Sequence, residues 1–231
     1  MSTRLRITIT YFDIIFIDPS YVLLPPCNRG SIPRPLIQKI ILCLATRFDL
    51  ATKDISAHLQ TASLKQYGKV RRIDGGDVMN ASSVVAMGDD RRDATFVRVS
   101  VEFLLVIVVS WHCQYEMLVD RNARYAKRPV ILDSQIFFGQ LQHIIVVRLP
   151  ASLALGLKLQ TTIILAAIRT CYNPRIQSDN GMHYYSREGH LEVVDMECVK
   201  CLVGRVKDGK EWAIVDRSEG CARSVFATEG T

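Results

Sequence analysis

The sequence is short of the features that would announce a chemistry. Its longest uninterrupted apolar run, residues 103–109, spans seven residues. A membrane-spanning helix needs about 20. Cysteines number seven in 231 residues, too few and too irregularly spaced for a small disulfide scaffold, and the count is odd. No glycine-rich loop of the P-loop or dinucleotide type occurs. Internal repeats and low-complexity tracts are also missing. These absences exclude a collagen, a coiled coil and a polytopic membrane protein, and they favour a reducing compartment.

What is present suits a packed body. Hydrophobic residues make up 48% of the chain and charged residues 23%, which is enough apolar surface to bury a core and argues against disorder. The 29 basic and 23 acidic residues leave a net charge of +6. Residues 1–68 carry eight Lys/Arg against four Asp/Glu, whereas residues 69–231 carry 21 against 19 and are nearly neutral. Near-neutrality weakens the argument that a strong positive field draws the larger part onto a polyanion. Two basic clusters stand out: Lys69, Arg71 and Arg72, and then Arg121, Arg124, Lys127 and Arg128 around Tyr125. Cations interleaved with an aromatic could meet phosphates or single-stranded bases, and could equally form a solvated turn between strands. At the start, Arg4 and Arg6 precede an apolar stretch in the manner of a signal peptide. Asp13 and Asp18 interrupt that stretch and no small-residue cleavage pattern follows, so a soluble, intracellular chain is expected.

Five of the eight prolines, Pro19, Pro25, Pro26, Pro33 and Pro35, fall within residues 19–35. Proline lacks an amide donor and restricts its predecessor, so this stretch reads as an irregular linker. Beyond it, residues 36–48 suit a short helix. Residues 50–67 suit a second, with Asp49 as N-cap and Gly68 just past its end. From Lys69 the texture turns to short β-rich runs separated by turn residues. Residues 136–149 form a long run with Gly139 as a bulge or bend, and 161–169 read as a buried strand. Asp208-Gly209 between 191–206 and 211–215 is the clearest hairpin signal in the chain. The expected fold is mainly β (α+β overall), a small antiparallel barrel or twisted sandwich. It occupies residues 67–220, behind an irregular, partly helical flank (1–66) and before a tail (221–231).

Residues 99–114 break the pattern. Eleven of these 16 residues are apolar, with a period of neither two nor 3.6. Joining Arg98 directly to Tyr115 restores alternation, with Val97, Tyr115, Met117 and Val119 on one face and Arg98, Glu116 and Asp120 on the other. The segment opens with Val-Ser, which can be encoded GTGAGT, and closes with Gln, which can be encoded CAG. These are intron-boundary sequences, so the segment reads as a translated, in-frame retained intron; a genuine buried strand or hairpin is the competing reading.

Candidate chemistry is sparse. Cys198 and Cys201 form a single Cys-x-x-Cys, whereas a structural zinc site normally needs four ligands, often as two such pairs. The possible supplements Cys171, His183 and His190 are irregularly spaced, and residues three apart on a strand point to opposite faces. No cofactor is expected. A nucleophilic pair could be drawn from Cys171 or Cys113 with His183, His190 or His143, but nothing local specifies it. His143, inside an apolar stretch, suits a sheet-face or core position. Asp120, Asp133, Asp195 and Asp216 could serve a two-metal site, although three of them close strand-like runs where aspartate is common anyway. The chain reads as non-enzymatic.

Four blocks carry a family resemblance: residues 69–81, residues 115–125, Phe138-Gly139-Gln140-Leu141-Gln142-His143, and a final block opening at Met182-His183-Tyr184-Tyr185 and reaching Ser218 through Cys198-Val199-Lys200-Cys201 and Trp212-Ala213-Ile214-Val215. Together they resemble the β-rich C-terminal region of fungal proteins related to plant En/Spm (CACTA-type) and Kyakuja–Dileera–Zisupton transposases. The resemblance covers roughly residues 67–220 and includes no motif with an assigned catalytic role. It implies a mobile-element origin, a nuclear setting, and an accessory domain that binds DNA or a chromatin or transposase protein. The nuclease core of such enzymes has no counterpart in this chain. The full chain lacking residues 99–114 should melt in one sharp transition, while the unaltered chain melts broadly. Calorimetry of the two forms tests this, and equal cooperativity would count against a foreign insertion.

Overall fold

The computed structural model describes residues 20–28, 32–73, 77–85, 93–100, 118–120, 132–134, 136–177 and 182–216. The fold is mainly β and antiparallel. Its central element is β7 (Ile136–Leu149), flanked along one edge by β8 (Thr161–Cys171), from Gly139↔Thr170 to Leu149↔Thr161. Two strands share the opposite edge of β7. The C-terminal half pairs with β2 (Ser63–Arg72) and the N-terminal half with β4 (Phe96–Ser100). Backbone bonds fill the gap between them: Leu141 N–H donates to Thr95 O (2.7 Å), and Ser82 and Ser83 N–H donate to Leu141 O and Gln142 O. Further strands extend the sheet. They are β1 (Tyr21–Asn28) and β3 (Met79–Asn80) beside β2, β11 (Glu188–Asp195) beside β8, and β12 (Val199–Leu202) beside β4.

The sheet curls into a half-barrel. Its concave face buries Val70, Val97, Val99, Leu141, Ile144, Val146, Ile164, Ala166 and Ile168, with Met196 and Cys198 from the short 3-10 turn after β11. Tyr21 on β1 donates its hydroxyl to Met196 O (3.3 Å), tying one margin of the curl to the other. The opposite face of β7 and β8 presents Ile145, Val147, Leu149, Ile163, Leu165 and Ala167. Two helices, α1 (Arg34–Phe48) and α2 (Thr52–Leu59), cover it. A second sheet is built from β13 (Gly204–Asp208), β14 (Glu211–Val215), β10 (His183–Tyr185) and β9 (Arg175–Ile176). It packs Tyr185 and Ile214 on Phe96 and Phe138. A two-stranded ladder, β5 (Leu118–Asp120) with β6 (Leu132–Ser134), completes the described elements.

Four expectations need correction. The proline-rich stretch is not a linker throughout: β1 includes Pro25 and Pro26. It is the margin strand beside β2, and its register shifts between Leu24 and Cys27, where those prolines sit. A margin strand tolerates missing amides because its outer side needs no partner. Pro33 and Pro35 meanwhile open α1, where first-turn amides have no intrahelical acceptor. The second helix ends at Leu59, and residues 63–67 belong to β2, so the division at 66/67 falls inside a strand. Asp49 is the C-cap of α1 rather than an N-cap; it takes the left-handed conformation (φ 51°), and Leu50 N–H closes on Ala45 O. Gly68 lies within β2 and accepts the Ala81 amide.

The hairpin at Asp208-Gly209 forms as read, with Asp208 opposite Glu211. Only Gly209 of its two central residues has positive φ (58°), the signature of a II′ turn. Val99 and Ser100, the first residues of the aberrant segment, continue β4 opposite Phe137 and Ile136. Residues 101–114 lie outside the described residues. Gly139 sits in register with both Val97 and Thr170, and the bulge falls later, between Leu141 and His143. Its role is close approach: a Cβ there would stand 2.6 Å from Arg169 O and from Ile168 Cγ2. Gly139→Ala should therefore destabilise the chain by about 1–3 kcal/mol, read as a lowered urea midpoint. An unchanged midpoint would mean the two strands separate freely at this point.

Candidate functional site

Among the described residues, polar and aromatic groups converge between the two sheets. Arg205 on β13 inserts its guanidinium between the rings of Phe96 (3.9 Å to the centroid) and Trp212 (4.4 Å). It donates to the Tyr185 hydroxyl (3.3 Å) and pairs with Asp93 at 3.4 Å. Asp93 also accepts from the Thr95 hydroxyl (2.5 Å) and amide (3.1 Å), and Gln140 Nε2 donates to Thr95 Oγ1 (3.2 Å). Tyr185 makes a hydrogen-bond contact with the Cys171 thiol. Burial pushes that thiol to about 12, so it stays protonated and is no nucleophile at neutral pH. Each ring contact contributes about 0.5–2 kcal/mol. The arrangement clamps one sheet to the other. Sequence reading missed Arg205 and Asp93; the Asp-x-Thr spacing of an Asx turn was the available signal.

The candidate carboxylates are held apart. Asp195, at the end of β11, is an ion-pair partner of Arg47 in the last turn of α1. Asp216 pairs with Arg98 at 3.0 Å and lies 3.9 Å from the Cys201 thiol. Each joins a different pair of elements, so the two do not form one metal cradle. Asp120 and Asp133 belong to β5 and β6, whose side chains lie outside the description. The Cys-x-x-Cys splits likewise: Cys198 packs in the concave core and Cys201 against the cluster between the sheets. Burial, followed by the Asp195 charge, raises the Cys198 thiol to about 11.

His143 and Ser83 make the one serine–histidine contact among the described residues, Oγ to Nδ1 at 2.9 Å. The serine hydroxyl donates to Gln142 O (2.5 Å), which uses its single proton. Nδ1 is then the donor, the reverse of a nucleophile–base pair. Burial lowers the His143 pKa and keeps the ring neutral. His183 meets the Phe138 ring at a tilt of 56° (4.8 Å between centroids), and Cys113 lies outside the described residues.

Of the basic clusters, Arg121, Arg124, Tyr125, Lys127 and Arg128 lie outside the described residues. The other is on β2. Lys69 opposes Leu24 and Asn80, and Arg71 opposes Val22, on the sheet face away from Val70. Arg72 opposes Tyr21 on the Val70 face. The structure therefore keeps Lys69 and Arg71 together and turns Arg72 inward. No family model matches the sequence, and no curated protein or solved structure shows significant similarity to it.

Burial lifts the Asp195 carboxyl from 3.8 to about 6, more than the Arg47 charge lowers it. Between these values the folded chain holds a proton that the unfolded chain releases, so stability falls as pH rises through that window. The loss amounts to up to about 3 kcal/mol from about pH 4 to about pH 6. Asp195→Asn should flatten this slope in denaturant titrations at several pH values; an undiminished slope would assign it to another group.

Proposed function

We propose that the chain is a non-catalytic interaction module of a transposon-derived protein, binding nucleic acid or a protein partner through a basic ridge on β2 and the Arg121–Arg128 segment. The observation that carries this reading is the alternation on β2. It sets Lys69 and Arg71 side by side on an outward face, with Arg71 exposed and no carboxylate of the described residues paired with either. Cations at strand spacing of about 7 Å match successive phosphates of a nucleic-acid backbone, which favours the nucleic-acid arm. The non-catalytic part is supported by how the candidate catalytic groups are used. Asp195 and Asp216 serve separate ion pairs, and the Cys171 and Cys198 thiols are held protonated. The mobile-element origin and nuclear setting rest on the sequence resemblance.

Lys69→Ala combined with Arg71→Ala should weaken binding to duplex or single-stranded DNA. It should also flatten the dependence of log affinity on log salt by about one per lost contact. Arg121→Ala, Arg124→Ala and Lys127→Ala together should act in the same direction. Fluorescence anisotropy across a salt series tests both sets. Unchanged affinity and slope in both would remove the ridge from the function, and metal-dependent DNA cleavage lost in Asp195→Asn would replace this reading with a nuclease.

A further inference from the structure

We propose a second, separate binding site at the end of the concave face where its apolar lining stops, built on Arg148 and taking a phosphate-type oxyanion. Register places Ser63, Arg148 and Thr162 in one row across β2, β7 and β8, with Lys65 in the next row beside Val146 and Ile164. Directly opposed residues of antiparallel strands share a face. Val146 and Ile164 belong to the concave core, so all four side chains stand on the concave face, at the end where its apolar lining stops.

The deciding observation is at the guanidinium. Arg148 Nε and Nη2 are buried, and among the described residues neither has a hydrogen-bond acceptor. These two nitrogens form one edge of the arginine fork, with parallel N–H groups that match two oxygens of a single phosphate or carboxylate. A buried charged donor without an acceptor is strongly unfavourable, and such a group in a folded protein calls for an absent anion or water. Among the described residues no carboxylate pairs with Arg148, Lys65, Ser63 or Thr162. Among the described residues the row thus gathers two cations and two hydroxyls and no anion. Hydroxyls flanking the fork add donors for a third and fourth oxygen, which selects phosphate over carboxylate. Ser63 is exposed and Arg148, Lys65 and Thr162 are half-buried, so the row reaches solvent at the strand ends. The site shares no residue with the β2 ridge or the Arg121–Arg128 segment and does not depend on nucleic-acid binding.

Thermal unfolding of the full chain, measured against inorganic phosphate and phenyl phosphate with sodium chloride at matched ionic strength, tests the assignment. Wild type should show a saturable rise in Tm with phosphate that chloride and acetate do not reproduce. Arg148→Met should require at least about tenfold more phosphate for the same rise, the factor expected for one lost charge-assisted pair. Without phosphate it should melt no lower than wild type, because the orphaned donors are gone. Thr162→Val, a milder change, should raise half-saturation several-fold and serves if Arg148→Met does not fold. A response to phenyl phosphate at lower concentration marks an esterified ligand, and a response to inorganic phosphate alone marks the free ion; either supports the site. A rise no greater than that with chloride, or one retained in full by both variants, would overturn it.

Discussion

Everything in this molecule is organised by the pairing of one long strand. β7 is hydrogen-bonded along both edges and covered on both faces, and the elements that complete it come from distant parts of the sequence. Residues 63–67, 81–83 and 94–100 lie end to end along a single edge, joined by the backbone bonds of Leu141 and Gln142. The near-continuous apolar character of the strand follows from this: Ile144 and Val146 face the curl, while Ile145, Val147 and Leu149 face the helices. A strand buried on two sides cannot alternate apolar with polar residues.

That constraint explains which parts of the fold could be read directly from the residues. The bounds of β7 and the hairpin at Gly209 were visible because a long β-rich run and a turn glycine are local signals. The β1 strand was hidden by Pro25 and Pro26, whose local meaning is irregular structure; only its place at the margin of the sheet makes them tolerable. Residues 63–67 have a composition that suits either a helix or a strand, and pairing with residues 144–148 decides the matter. Contacts of this kind, between partners some 80 residues apart in the chain, leave no trace in a short window of sequence.

The candidate site was legible to a lesser degree. Lys69, Arg71 and Arg72 were visible as a cluster, but the division of that cluster between two faces emerged only from the register with β1. The single Cys-x-x-Cys was read as falling on opposite faces of a strand; in the fold the 3-10 turn at Met196–Cys198 followed by β12 sends the two thiols into different cores. Sequence reading gave Arg47 and Arg205 no role and placed Arg98 only on one face of a strand. In the fold each reaches across to an aspartate on another element and joins helix to sheet, or sheet to sheet. Each such pair takes one cation and one carboxylate, so these links hold the fold together and leave the net charge of +6 unchanged.

The way the chain fills the long edge of β7 also bears on how it can be shortened. A fragment starting at residue 67 would lack β1, both helices and the segment covering residues 145–148. It would carry bare amide and carbonyl groups beside a sheet face rich in isoleucine, valine and leucine, the combination that recruits foreign strands. β1, the two helices and the first residues of β2 thus shield this edge and face, and without them the remainder is expected to self-associate.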